Sequence, residues 1–355
     1  MTHQSEQDVM TCDQPLVQDK GYRIIQIHPT LKCNLTCLHC YSSSAPRLKQ
    51  ELDIDLLKSF LEDARQEGYN AISLSGGEPF LYSGLTELLQ YAKSLGYFNS
   101  VTTNGTLFRN NEKNIQALQH IDLLAMSIDG EAEQHNFMRN SPKAFDRLLE
   151  GLELVKDHTD RYGFIHTVTP QTFGSLLWLA DFADHHGAKL LQLHPLESIG
   201  RGRELYDALT LCQEELQRIY ILSHYLQQKY ADRMLIELDL IHRDQILKSP
   251  QSIYARRKAT GYDHLTDCLR ELILDEHGYL LPVSHGFSRA YSMGNIQHKD
   301  TLKDQAQQYI AHKLPQLQAL FDQTYSEIRD KETVELLNWA ELIVHNSRLQ
   351  TMQPS

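Results

Sequence analysis

The segment Arg23-Ile24-Ile25-Gln26-Ile27-His28-Pro29-Thr30-Leu31-Lys32-Cys33-Asn34-Leu35-Thr36-Cys37-Leu38-His39-Cys40-Tyr41 decides how this chain is read. Its first six residues, rich in β-branched isoleucine, form a strand pattern. Its second half offers the thiols of Cys33, Cys37 and Cys40 within eight residues, with no fourth cysteine nearby. A [4Fe–4S] cube normally takes four thiolates, so three leave one iron open to another ligand. The spacing alone also admits a zinc knuckle completed by His28 or His39.

Outward from that segment, apolar runs alternate with stretches of helical period, the pattern of βα units on a parallel sheet. Leu56, Leu57, Phe60, Leu61 and Ala64 recur at helical spacing before a second strand, Ala71–Ser75. Leu85, Leu88, Leu89, Ala92 and Leu95 mark the next helix, closed by Gly96. Further strands are expected near Ser100–Thr103, Leu123–Ser127, Phe164–Val168 and Leu190–His194, with helices near Asn114–His120, Ala144–Val155 and Leu176–His185. Six such units predict an α/β fold, a partial (β/α)6 TIM-like barrel. In barrels of this kind chemistry gathers at the C-terminal ends of the strands. The residues expected there are the cysteine loop, Gly76-Gly77-Glu78-Pro79, Asn104-Gly105, Ser127 with Asp129-Gly130, and Pro195 to Arg203.

Beyond Arg203 the rhythm breaks. A helix over Gln213–Tyr230, a strand over Met234–Ile241, a hairpin turned at His277-Gly278 and an amphipathic helical tail over Leu302–Leu349 are expected. This divides the chain into a flexible N-terminus over 1–20, a barrel core over 21–205, and a smaller, mostly helical C-terminal extension over 206–355.

The 355 residues carry a net charge of −12, which argues against a nucleic-acid partner. Six cysteines in no paired framework point to a reducing compartment, the cytoplasm. The first residues lack the basic and apolar regions of a secretory signal, and no apolar run approaches the roughly 20 residues of a membrane helix.

Taken alone, Gly76-Gly77 can simply end a strand and Asp129-Gly130 is an ordinary turn dipeptide. Together and in this order, the cysteine spacing and Gly76-Gly77-Glu78-Pro79 resemble the CxxxCxxC and GGEP motifs of the radical SAM superfamily. The resemblance implies a [4Fe–4S] cluster on Cys33, Cys37 and Cys40 with S-adenosylmethionine on its open iron. It implies cofactor contacts from Gly76, Gly77 and Glu78 to the methionine amino group, from His39 near the adenine, and from Ser127 and Asp129 to the ribose or methionine. Asn104 matches a recurrent turn of the family. The implied chemistry is reductive cleavage to a 5′-deoxyadenosyl radical that abstracts hydrogen from a substrate, fed by an electron donor such as flavodoxin or ferredoxin.

The stretch from Ser127 through His135 and Arg139, with Gly200 to Arg203, resembles the branch bearing a C-terminal SPASM or twitch extension. The extension looks degenerate: Cys268, Asp275, Gly278 and Gly294-Asn295-Ile296 echo it, but Val283 stands where a cysteine is usual. No auxiliary cluster is expected. Cys268 then reads either as a buried apolar cysteine or as a hydrogen-atom donor. Arg201 and Arg203 read either as a carboxylate grip or as solvated charges. The resemblance implies a ribosomal peptide as substrate, a maturase role; a small metabolite such as a sugar nucleotide or tetrapyrrole is the alternative.

Overall fold

A computed structural model of the chain describes residues 21–250, 253, 261–298, 300–330 and 335–352. The segment 1–20, with Cys12, lies outside the described residues. Six strands come first: β1 Ile24–Ile27, β2 Ala71–Leu74, β3 Phe98–Thr103, β4 Leu123–Ser127, β5 Tyr162–Val168 and β6 Leu190–Pro195. Each pairs in parallel with the next. Helices α1 Ile54–Gln66, α2 Leu85–Ser94, α3 Glu112–Ala117, α4 Ala132–Met138, α5 Ala144–Lys156 and α6 Leu176–His185 lie in the crossovers that parallel pairing requires.

Local chemistry sets these boundaries. The Asp53 carboxylate accepts the backbone N–H groups of Asp55 and Leu56 and starts α1, whose Leu57, Phe60, Leu61 and Ala64 share the buried face. At the end of α2, Gly96 takes φ 79°, its N–H reaches Lys93 O, and Tyr97 N–H reaches Ala92 O. This Schellman closure turns the chain directly into β3.

After α7 Gly202–Leu209 and α8 Gln213–Tyr230, β7 Leu235–Leu238 adds in parallel to β6. Then come β8 Ile241–His242, α9 Arg243–Lys248, β9 Glu271–Leu274, β10 Tyr279–Pro282 and β11 Gly294–Asn295. The hairpin expected at His277-Gly278 is β9–β10, and β9 lies parallel against β1, Ile24 opposite Glu271. The sheet is therefore one open array of ten strands ordered β11-β10-β9-β1-β2-β3-β4-β5-β6-β7.

The helical tail consists of α10 Leu302–His312, α11 Leu314–Asp330 and α12 Trp339–Met352, interrupted by β12 Leu336–Leu337, which pairs with β8. Leu302 N–H donates to Asp63 of α1, tying the tail to the first crossover helix. No helix among the described residues is long and apolar enough to cross a membrane.

Outward-facing residues of the sheet, such as Ile25, Ile27, Leu74, Val101 and Leu124, pack against the helices in one core. The alternate residues Gln26, Ser73, Thr102, Thr167 and Gln192 face a shared cavity of about 1630 Å³. Period-two alternation around a common space means the sheet curves as a partial barrel, and the C-terminal strand ends meet at its mouth.

Candidate active site

The three clustered thiols converge just past β1. Cys33 and Cys37 are buried and Cys40 is half-buried, packed together with Leu35 in a small cluster of their own. Polar groups surround the sulfurs. Leu35 N–H donates to Cys33 Sγ at 3.4 Å, Arg139 Nη1 to Cys37 Sγ at 3.8 Å, and Ser42 Oγ lies 3.4 Å from Cys40 Sγ. Donors of this kind stabilise metal-bound thiolates. Burial, and after it the Glu78 charge, pushes the Cys33 thiol up to about 12, and burial also raises Cys37. Three convergent thiols ringed by such donors form a set that fits an iron–sulfur cluster.

The cysteine loop is braced from two sides. Arg201 donates from its backbone to Cys40 O, from Nε to Cys37 O at 2.9 Å, and from Nη1 to Ser44 O at 2.8 Å. It is a brace for the loop, whereas Arg203 is exposed. On the other side, Gly77 N–H donates to Thr30 O at 2.8 Å and Glu78 N–H to Lys32 O at 2.9 Å. A Cβ at Gly77 would stand 2.3 Å from Lys32 O, so this approach of backbone to backbone requires glycine.

Glu78 is buried, and its carboxylate accepts from Thr103 Oγ1 at 2.7 Å, Asn104 N–H at 2.8 Å and Phe80 N–H at 3.2 Å. It clamps the turn after β2 to the turn after β3. Burial raises its carboxyl to about 7 against the pull of those donors. Asn104 extends the clamp: Nδ2 donates to Asn34 Oδ1 at 2.9 Å and lies 4.0 Å from Cys33 Sγ, while Oδ1 accepts from Thr106.

Gly76, Gly77, Glu78, Asn104, Ser127 and His39 all border the cavity. Asp129 does not. It is fully buried, with Arg139 Nε 2.7 Å from its Oδ2 and His39 Nε2 at 3.6 Å. Burial alone would raise the Asp129 carboxyl, but the Arg139 guanidinium, helped by His39, His135 and His166, holds it well below the usual range. Burial likewise keeps His39 neutral, lowered to about 4.

Arg139 is thus the group the residue pattern undersold. It links Asp129 to Cys37, and its spacing of four from His135, across the end of short helix α4, was the available signal. Tyr41 was also missed. Its hydroxyl donates to Ser75 Oγ at 3.0 Å, accepts from Gly76 N–H at 3.0 Å, and lies 3.3 Å from His28 Nε2. His28 Nε2 is thus engaged by Tyr41. Cys268 takes the buried reading: its Sγ donates to Leu265 O at 3.2 Å, it belongs to the apolar core and it does not border the cavity.

Residues 27–183 match the Radical SAM superfamily. The chain is 30% identical over 249 residues to the AdoMet-dependent heme synthase of Methanosarcina barkeri, covering 69% of this chain and 70% of that protein. It is 25% identical over 300 residues to the antilisterial bacteriocin subtilosin biosynthesis protein AlbA of Bacillus subtilis, covering 82% of this chain and 60% of AlbA. Among solved structures, anSMEcpe with bound AdoMet and Kp18Cys peptide superposes with a TM-score of 0.61 at 19% identity, covering 92% of this chain and 96% of that one. With the thiol loop, the glycine turn and the open parallel sheet in one arrangement, the chain belongs to the radical SAM superfamily, enzymes that use a [4Fe–4S] cluster and S-adenosylmethionine.

Proposed function

We propose that Cys33, Cys37 and Cys40 hold the cluster and that the protein modifies a peptide, acting as a maturase. The observation that carries the first part is the strapping of the buried, donor-ringed thiol loop to the Gly77 backbone at the mouth of a large cavity. A cluster held by Cys33, Cys37 and Cys40 would supply, when reduced, the single electron for homolytic cleavage of the sulfonium C–S bond of S-adenosylmethionine.

The chain's own residues do the positioning. The Gly76–Gly77 backbone would receive the methionine moiety, with Ser127 and His39 bordering the same space. Glu78 and Asn104 hold that surface against the thiol loop, and Asp129 acts through Arg139 by fixing it beside Cys37. The curved sheet surrounds the reacting groups and limits water and stray hydrogen donors. The electron comes from a flavodoxin- or ferredoxin-type donor.

A peptide substrate is supported by the cavity's size and by the likeness to AlbA and to a peptide-bound neighbour of the same fold. The heme synthase relative favours a tetrapyrrole as the second reading. Anaerobic reconstitution with iron, sulfide and S-adenosylmethionine, followed by dithionite, should yield 5′-deoxyadenosine and broad absorbance near ~400 nm. Replacing all three cysteines with alanine should abolish both. A short peptide encoded beside this gene should change in mass in the same reaction; a mass change in an added porphyrin instead would sink the peptide reading and leave the cofactor chemistry standing.

A further inference from the structure

At the end of β1, on the edge that pairs with the C-terminal hairpin, three groups converge that the proposed chemistry does not use. His28 follows β1, Glu276 sits in the β9–β10 turn, and His285 follows β10; their ligating atoms lie within 4.8 Å of one another. His28 Nδ1 stands 3.9 Å from Glu276 Oε2, and His285 Nε2 stands 3.6 Å from the same oxygen. Both separations exceed a hydrogen bond. They are close to the ~3.4 Å between two ligands each about 2.0–2.1 Å from a tetrahedral zinc ion.

The hydrogen-bond network fixes what these atoms offer. The Tyr41 hydroxyl donates to Ser75 Oγ and lies 3.3 Å from His28 Nε2, so in the tautomer that donates from Nε2 to the Tyr41 oxygen, His28 offers Nδ1 as a ligand atom. Nδ1 is then a bare lone pair, fully buried and pointing at a carboxylate oxygen. Neither His28 Nδ1 nor Glu276 Oε2 has a hydrogen-bond partner among the described residues. With Nδ1 unprotonated, two acceptors face each other in a buried place, a costly arrangement that a cation between them relieves. A histidine whose other nitrogen is held by a hydrogen bond is also the usual arrangement of a metal ligand.

The backbone carrying His285 is bent to the purpose. Val283 takes φ 69° and Ser284 N–H donates to Pro282 O at 2.8 Å, a γ-turn of the rare strained kind at a β-branched residue. His285 then stacks on His28 with ring centroids 4.4 Å apart, and it borders the cavity.

We infer that His28, Glu276 and His285 form a second metal site, separate from the three cysteines, that takes a borderline divalent cation such as zinc. Three protein ligands leave a further position for water or for a donor atom of the substrate, in the manner of an open rather than a closed zinc site.

The test uses the untagged, reconstituted enzyme, desalted against a weak chelator after incubation with zinc alone. It should retain about one zinc per chain alongside its iron and sulfide, and zinc-edge X-ray absorption should give nitrogen and oxygen neighbours without sulfur. His285→Ala and Glu276→Gln should each lower retained zinc to a tenth or less of wild type while iron and sulfide stay the same and circular dichroism shows the fold retained. His277→Ala should leave zinc unchanged, since exposed His277 lies 3.5 Å from the other Glu276 oxygen. No retained zinc, sulfur in the zinc shell, or zinc indifferent to both variants would each overturn the assignment. Because iron, sulfide and 5′-deoxyadenosine are read separately, that failure would not touch the proposed radical chemistry.

Discussion

An added methyl at Gly77 would meet the Lys32 carbonyl at 2.3 Å, and because the atoms it meets are all backbone of Leu31 and Lys32 they cannot swing aside as a side chain would. Gly77→Ala should therefore destabilise the protein by about 2 kcal/mol or more in urea denaturation and lower its cluster content. Gly174→Ala, where a Cβ meets nothing within 4 Å, should stay within about 0.5 kcal/mol of wild type. The histidines of the Asp129 network carry a second residue-scale prediction. Burial lowers His135 to about 3, and its Nδ1 accepts from Asp129 N–H at 3.1 Å. A depressed histidine is neutral when folded and takes a proton on unfolding, so its stabilisation is full above the unfolded value of 6.5 and is lost as pH falls toward 3. Against His135→Asn, which keeps an acceptor, the wild-type stability advantage should be flat above pH ~7. Below pH ~6.5 it should shrink by up to about 1.4 kcal/mol per pH unit, read from paired urea titrations. The thiols and glycines of this site were legible because their spacing is itself the chemistry. Asp129, expected to touch the cofactor, anchors Arg139 instead, since nothing local distinguishes a carboxylate that meets a ligand from one that meets a guanidinium.

At the scale of elements, the strands that alternate with helices could be read almost to their ends: Leu123–Ser127 and Leu176–His185 stand as the periodicity places them. Short pieces escaped. α4, only Ala132–Met138, has too few turns to show a period, yet Arg139 at its end reaches Cys37. β8 and β12 are pairs of residues whose existence depends on each other across the tail. Capping was better marked. Asp53 satisfies two otherwise unpaired N–H groups of α1, so Asp53→Ala should cost about 1 kcal/mol of stability in a denaturant titration, with cluster assembly unaffected.

For the whole molecule, the parallel pairing of β9 with β1 was the feature hidden from periodicity, because strand partners distant in the chain leave no local trace. It makes the late hairpin a neighbour of the cysteine loop and brings Glu276 and His285 against His28. It also has a consequence for how the protein comes into being. On the ribosome, β1 emerges first on its sheet and must wait for Glu271–Leu274 before its second edge is covered. At ~5–20 residues per second that interval is about 12–50 s, during which a nascent strand with an open edge and three reactive thiols is exposed to mispairing and to oxidation.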